Sequence, residues 1–156
     1  MGSWRVVPGM PRAALPHRAV YRHQSIMRYA TPIYLPAAFP APKGPYSPAV
    51  RAGDFVYVSG QTPRDPMSGE LAGDDVATQT RSTLSNVQRI LRQAGAELED
   101  VVSVALFLQH MDDWGAVNDV YKEFFAHPYP SRTAVGCDLR DILVEISVVA
   151  YVRSRS

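Results

Sequence analysis

The segment that most restricts the possible folds is residues 143–152. Its alternate positions Val144, Ile146, Val148, Ala150 and Val152 are all apolar, and among the intervening Leu143, Glu145, Ser147, Val149 and Tyr151 three are apolar or aromatic too. Successive side chains of a strand point to opposite faces. A strand with this pattern has one face for a core and a second face that also avoids water. Residues 101–109 repeat the theme, with Val102, Val104, Leu106 and Leu108 on one side and Val101, Ala105 and Phe107 on the other.

Two segments carry helical spacing. From Val76 the apolar residues Val76, Leu84, Val87, Ile90, Leu91 and Ala94 recur at helical intervals, with Asp74 or Asp75 placed to cap the start and Gly95 to end it. Asp112 or Asp113 precedes a second run, Trp114, Val117, Tyr121 and Phe124, which Pro128 and Pro130 stop. Strands are expected at 55–59, 101–109, 132–137 and 143–152. Shorter extended pieces at 33–35 and 49–51 flank the run Pro36, Pro40, Pro42, Pro45 and Pro48. The order β-β-α-β-α-β-β describes an α+β domain with both helices on one face of a sheet. Two helices cannot cover both faces, so the second is expected to be buried against copies of the same chain.

At 156 residues and 46% hydrophobic, the chain can bury one core and has no room for a second domain. Sixteen Lys and Arg against fifteen Asp and Glu leave a net charge of +1, which predicts neither a nucleic-acid partner nor an anionic membrane surface. The charges are unevenly spread. No acid precedes Asp54, whereas Arg5, Arg12, Arg18, Arg22, Arg28, Lys43 and Arg51 do. Residues 1–30 are therefore expected to be a disordered or removable basic leader, and 31–156 a single domain. An organelle transit peptide, which would make the protein mitochondrial, competes with a later start at Met27. Pro8, Pro11 and Pro16 would interrupt an amphipathic targeting helix. The single Cys137 forms no internal disulfide, and apolar stretches such as 101–108 fall well short of the roughly 20 residues a membrane span needs. The expectation is a soluble protein of a reducing, cytoplasmic compartment, with no membrane partner.

Several residues could carry chemistry. Arg132 opens a strand whose alternate positions Ala134 and Gly136 are small, which leaves room for a guanidinium to meet a carboxylate two-pronged; the bland alternative is an exposed strand-end Arg. Glu145, mid-strand on the second face, either pairs with an Arg or acts as a base on water. Tyr46, in the turn Gly44-Pro45-Tyr46-Ser47, either packs in the core or stacks over a flat ligand. Ser59, Gly60 and Gln61 end a strand where a glycine suits a ligand or a bulge. Asn118 follows apolar Val117 and could hydrogen-bond a neighbouring loop. The histidines His17, His23, His110 and His127 show neither metal-site spacing nor a Ser-His-Asp arrangement, and no phosphate-binding glycine motif is present.

Taken in order, Gly44-Pro45-Tyr46-Ser47, Val58-Ser59-Gly60-Gln61, Gln79 and Asn86, Val117-Asn118 with Tyr121, Pro130-Ser131-Arg132-Thr133 and Val144-Glu145-Ile146 resemble the RidA/YjgF family of reactive-intermediate deaminases, from about Ala41 to Val152. The resemblance implies a chorismate-mutase-like fold, a homotrimer with sites between subunits, and hydrolysis of 2-enamine or 2-imine acids such as 2-aminoacrylate and 2-iminobutyrate to 2-keto acids and ammonia. It implies that Arg132 binds the substrate carboxylate and Glu145 positions or activates water. Tyr46, Ser59, Gly60, Asn118 and the backbone of Ala134 would line the cleft, and no cofactor or metal is required. Ala134 stands where the family often has cysteine. The segments before Pro130 and between Arg132 and Glu145 are shorter than usual, and Leu139-Arg140 replaces a common Leu-Pro. A non-catalytic trimer that binds small carboxylates or proteins is the alternative. RNA cleavage, which has also been attached to the family, finds no basic aromatic strip to support it.

Overall fold

The structure is a computed structural model that describes residues 30–153. The leader expected at 1–30 thus lies, but for its last residue, outside the described residues. Six strands and two helices follow in the order β1 (Ala30–Ile33), β2 (Ala49–Ala52), β3 (Phe55–Gln61), α1 (Val76–Gln93), β4 (Val101–Leu108), α2 (Trp114–Phe124), β5 (Ser131–Gly136) and β6 (Val144–Tyr151). They form one sheet in the order β1-β2-β3-β6-β4-β5. Neighbours are antiparallel except β4 and β5, which run parallel because α2 carries the chain back between them. Three strands precede α1, not two. The first extended piece sits at Ala30–Ile33, where it pairs with β2, instead of at 33–35.

Each helix forms where the periodicity predicts it. Asp75 caps α1, its carboxylate accepting from the Thr78 N–H at 2.8 Å. Gly95, at φ 72°, takes the left-handed position just beyond the helix end that glycine alone adopts cheaply. Asp113 begins α2 without a side-chain cap, and a short 3-10 turn at Met111–Asp113 leads into it instead. The inner face of the sheet packs Val56, Val58, Val104, Leu106, Leu108, Val144, Ile146, Val148 and Ala150 against Leu84, Val87, Leu91, Val117 and Val120 of the helices. Full burial of each larger side chain stabilises the fold by roughly 1.5–3 kcal/mol before conformational entropy is counted.

One strand departs from simple alternation. Between Val101 and Ser103 the β4–β6 register shifts, so Val101 is buried and Val102 is 44% exposed, the reverse of the expectation for Val102. The bulge re-phases the strand, after which Val104, Leu106 and Leu108 face inward as expected. On the other face Phe55, Tyr57, Val135 and Tyr151 stand exposed, with no helix above them. Two buried amides pin loops to α1. Gln79 accepts from the Leu143 N–H at 2.8 Å and donates to the Gly73 carbonyl, and Asn86 donates to the carbonyls of Thr62 and Arg64. No helix among the described residues is long and apolar enough to cross a membrane.

Candidate active site

Trp114, Asn118 and Tyr121 recur at spacings of four and three along α2, so they share one helix face. That face lies over the start of β5. Arg132 is in register with Val104, which is buried under the helices, so its side chain emerges on the helix side of the sheet. The guanidinium carbon sits 5.0 Å from the Trp114 ring centre and 4.6 Å from that of Tyr121. Its Nη2 donates to Asn118 Oδ1 at 2.7 Å. Asn118 therefore holds an arginine rather than a loop. Two aromatic faces, each contributing about 0.5–2 kcal/mol, and one amide fix the plane of the guanidinium. Most of its five N–H donors are left unspent. Among the described residues no carboxylate forms an ion pair with it.

Beside the guanidinium opens a pocket of about 360 Å3, walled by Trp114, Asn118, Tyr121, Tyr129, Pro130 and Arg132. Burial pushes the Tyr121 phenol up to about 12 against the opposing pull of Arg132, so it stays neutral, and its buried hydroxyl has no hydrogen-bond partner. Ala134 and Gly136 follow Arg132 on the same face. Ala134 packs against the core, and a Cβ at Gly136 would come within 2.8 Å of Met111 Cγ. Trp114 and Tyr121 read from sequence as core-facing positions, and Tyr129 carried no signal. The spacing Trp114 and Tyr121 share with Asn118 was the one clue that placed Trp114 beside an arginine.

The second group forms around Glu145. This residue is in register with Phe107, three positions beyond Val104 along β4 and so on the opposite face of the sheet from Arg132. Its carboxylate lies directly over Gly60 of β3. Burial raises the Glu145 carboxyl above its ordinary value, and no cation or hydrogen-bond donor among the described residues offsets it. Next to Gly60, Ser59 donates from Oγ to the Ser47 carbonyl at 2.7 Å, which ties the turn carrying Tyr46 to this strand end. Tyr46 is 54% exposed, not packed in the core, and lines a separate pocket with Lys43, Arg64 and Arg89. Its ring lies against Gly44.

The candidate residues thus fall into two groups. Arg132, Asn118 and Ala134 cluster under α2, while Glu145, Gly60, Ser59 and the Tyr46 turn cluster at the β3–β6 strand ends. Opposite faces and about 10 Å of travel along the sheet separate Arg132 from Glu145 within one chain. Among the described residues no group of three or more His, Cys, Asp or Glu side chains is arranged to hold a metal ion.

The family described as Endoribonuclease L-PSP has a sequence model that matches residues 37–152, which spans every candidate residue above. The chain belongs to the RidA/YjgF family. It is 41% identical over 122 residues to the 3-aminoacrylate deaminase RutC of Acinetobacter baylyi, an alignment covering 77% of this chain and 97% of that protein. A 2-iminobutanoate/2-iminopropanoate deaminase of Capra hircus is 41% identical over 98 residues, covering 63% and 72%. Among solved structures, the YjgF gene product of E. coli superposes with a TM-score of 0.72 at 34% identity over 79% of this chain and 99% of that one. Names within the RidA/YjgF family thus include both deaminases and an endoribonuclease.

Proposed function

We propose that this chain hydrolyses 2-imino acids and their enamine tautomers, such as 2-iminobutyrate and 2-aminoacrylate, to 2-keto acids and ammonia, at sites completed between copies in a homotrimer. The observation that carries this reading is the state of Arg132. Its guanidinium is walled by Trp114 and Tyr121, fixed by Asn118 and open to a pocket, with no carboxylate of its own among the described residues. An arginine pre-oriented in this way and left without an anion suits the two-pronged capture of a carboxylate.

With the acid held, the reaction needs only water and a proton carrier. Glu145, whose raised carboxyl value brings it nearer neutrality, takes a proton as water adds to the imine carbon. The tetrahedral carbinolamine then collapses. The imine enters protonated at nitrogen; Glu145 returns its proton to that nitrogen, the C–N bond breaks to release ammonia, and the remaining hydroxyl proton passes to Glu145 as the oxygen from water becomes the keto oxygen. No electrons change hands, so the step calls for no redox cofactor. Since Arg132 and Glu145 lie on opposite faces of one sheet, a neighbouring copy must bring the Glu145 group of its own chain to the Arg132 pocket. The uncovered face around Tyr57, Val135 and Tyr151 offers the apolar surface for that association.

The test is release of 2-keto acid from 2-iminobutyrate generated in situ by an amino-acid oxidase. The wild-type chain should accelerate it, and Arg132→Ala should lose about 100-fold in kcat/KM, the equivalent of about 2.8 kcal/mol for a charge-assisted pair of hydrogen bonds. Equal rates with and without the protein would refute the deaminase reading. Ligand binding with no turnover would instead favour a carboxylate-binding module, the reading suggested by the shortened loops beside the pocket.

A further inference from the structure

Gly60 has no conformational reason to be glycine. The described glycines at positive φ are Gly53, Gly69, Gly73 and Gly95, and Gly60 is not among them. Its backbone lies where any residue can go. What singles it out is space. A Cβ built at position 60 would sit 1.9 Å from Glu145 Oε1, 2.8 Å from its Cδ and 3.1 Å from its Cγ, so the three nearest atoms all belong to one glutamate. The carboxylate occupies the volume that every other residue would fill.

The local register explains how the two meet. Val58 pairs with Val148 and Gln61 with Ile146, so three steps on β3 are matched by two on β6. The extra residue makes a bulge at Ser59 and Gly60, which bends β3 just before Glu145 on the neighbouring strand. A strand glutamate on an uncovered face would ordinarily extend into water. Here it lies flat on the bulge instead, partly buried and without an ion pair among the described residues. Besides Glu145, the titratable side chains on β3, β4 and β6 are Tyr57 and Tyr151 alone, so no charged group on the strands flanking it holds it there.

We propose that Gly60 is the positioning residue for Glu145: the bulge and the missing Cβ form a socket that fixes the carboxylate, and any side chain at position 60 displaces it. Glu145's role in turnover rests on the deaminase reading above, whereas the socket itself does not. The experiment uses the full chain and the variants Gly60→Ala, Glu145→Gln and the double variant. Gly60→Ala should fold, since the Cβ meets the end of a flexible side chain. Its kcat for 2-iminobutyrate should fall at least 10-fold with KM within about 3-fold, and the double variant should be no slower than Glu145→Gln alone. By carbon-13 NMR, the Glu145 carboxyl should titrate at a different pH in Gly60→Ala than in wild type, because the Cβ moves it out of its present surroundings.

An unchanged Glu145 titration in Gly60→Ala would overturn the proposal, as would a double variant slowed by the full product of the single losses. If neither wild type nor variant hydrolyses the imine, the deaminase reading falls, and the titration still decides the socket. If Gly60→Ala unfolds, Gly60→Ala/Glu145→Ala should recover the fold, because the clash is with that side chain. A double variant that stays unfolded would count against it.

Discussion

Burial raises the Glu145 carboxyl with no ion pair among the described residues to compensate, and the sign of that shift fixes its effect on stability. A raised carboxyl value means that the folded state favours the protonated form. The stability this gives is fully present below the unfolded value and is lost as pH rises through the folded one. At dilutions where the chain is a monomer, with no neighbouring copy's Arg132 beside it, Glu145→Gln should therefore unfold at a higher temperature than wild type at pH 7, and the difference should close as the pH is lowered below about 4.5; a gap that persists in acid would contradict the assignment. On the other face, Asn118→Ala removes the amide that orients Arg132 while leaving both aromatic walls. It should raise KM for 2-iminobutyrate about 5- to 10-fold by steady-state kinetics, the equivalent of about 1–1.4 kcal/mol and of one ordinary hydrogen bond. At this scale the sequence was legible wherever a motif carried a distinctive residue, as with Arg132 in Pro130-Ser131-Arg132-Thr133. Trp114 was not legible, because an apolar stripe on a helix looks the same whether it faces a core or an arginine, whereas Tyr121, part of the motif with Val117-Asn118, both packs in the core and walls the guanidinium. For Tyr46 the sequence left core packing and ligand stacking open, and its 54% exposure removes the first.

The helices and the last strand could be read from periodicity because each buries one face against one partner. Val144, Ile146, Val148 and Ala150 are all nearly inaccessible, as alternation requires. Val102 was misassigned for a reason periodicity cannot supply: a bulge adds one residue to one strand, and only the pairing partner reveals it. The first strand was displaced for a related reason, since a four-residue edge strand is defined by its pairing to β2 more than by its own composition. Gln79 shows how an element positions the site from a distance. Its buried amide holds the Leu143 N–H two residues ahead of Glu145 and the Gly73 carbonyl at the approach to α1. Gln79→Leu should cost about 1–3 kcal/mol in urea unfolding through the backbone groups it strands. A loss under about 0.3 kcal/mol would mean that those groups find other partners at no cost.

The whole molecule is a sheet with helices on one face and exposed aromatic and aliphatic side chains on the other, and its candidate site is divided between the two. The proposed assembly resolves both features by letting copies cover one another's bare faces. A charge at the centre of such a face should break it. Val149→Lys should sediment as a monomer and lose imine hydrolysis, whereas a variant that stays assembled would move the interface elsewhere. The surplus of apolar residues on alternate strand positions made the uncovered second face legible in the sequence, but which candidate residue lies on which face was not, since that depends on the face each strand presents. The most direct measurement pairs two variants. Arg132→Ala and Glu145→Gln, each expected to be strongly impaired alone, are unfolded together, refolded as mixed oligomers and assayed for 2-iminobutyrate hydrolysis. If each site takes Arg132 from one copy and Glu145 from another, random mixing should restore about a quarter of wild-type activity. If both residues serve within one chain, the mixture should be as inactive as its components.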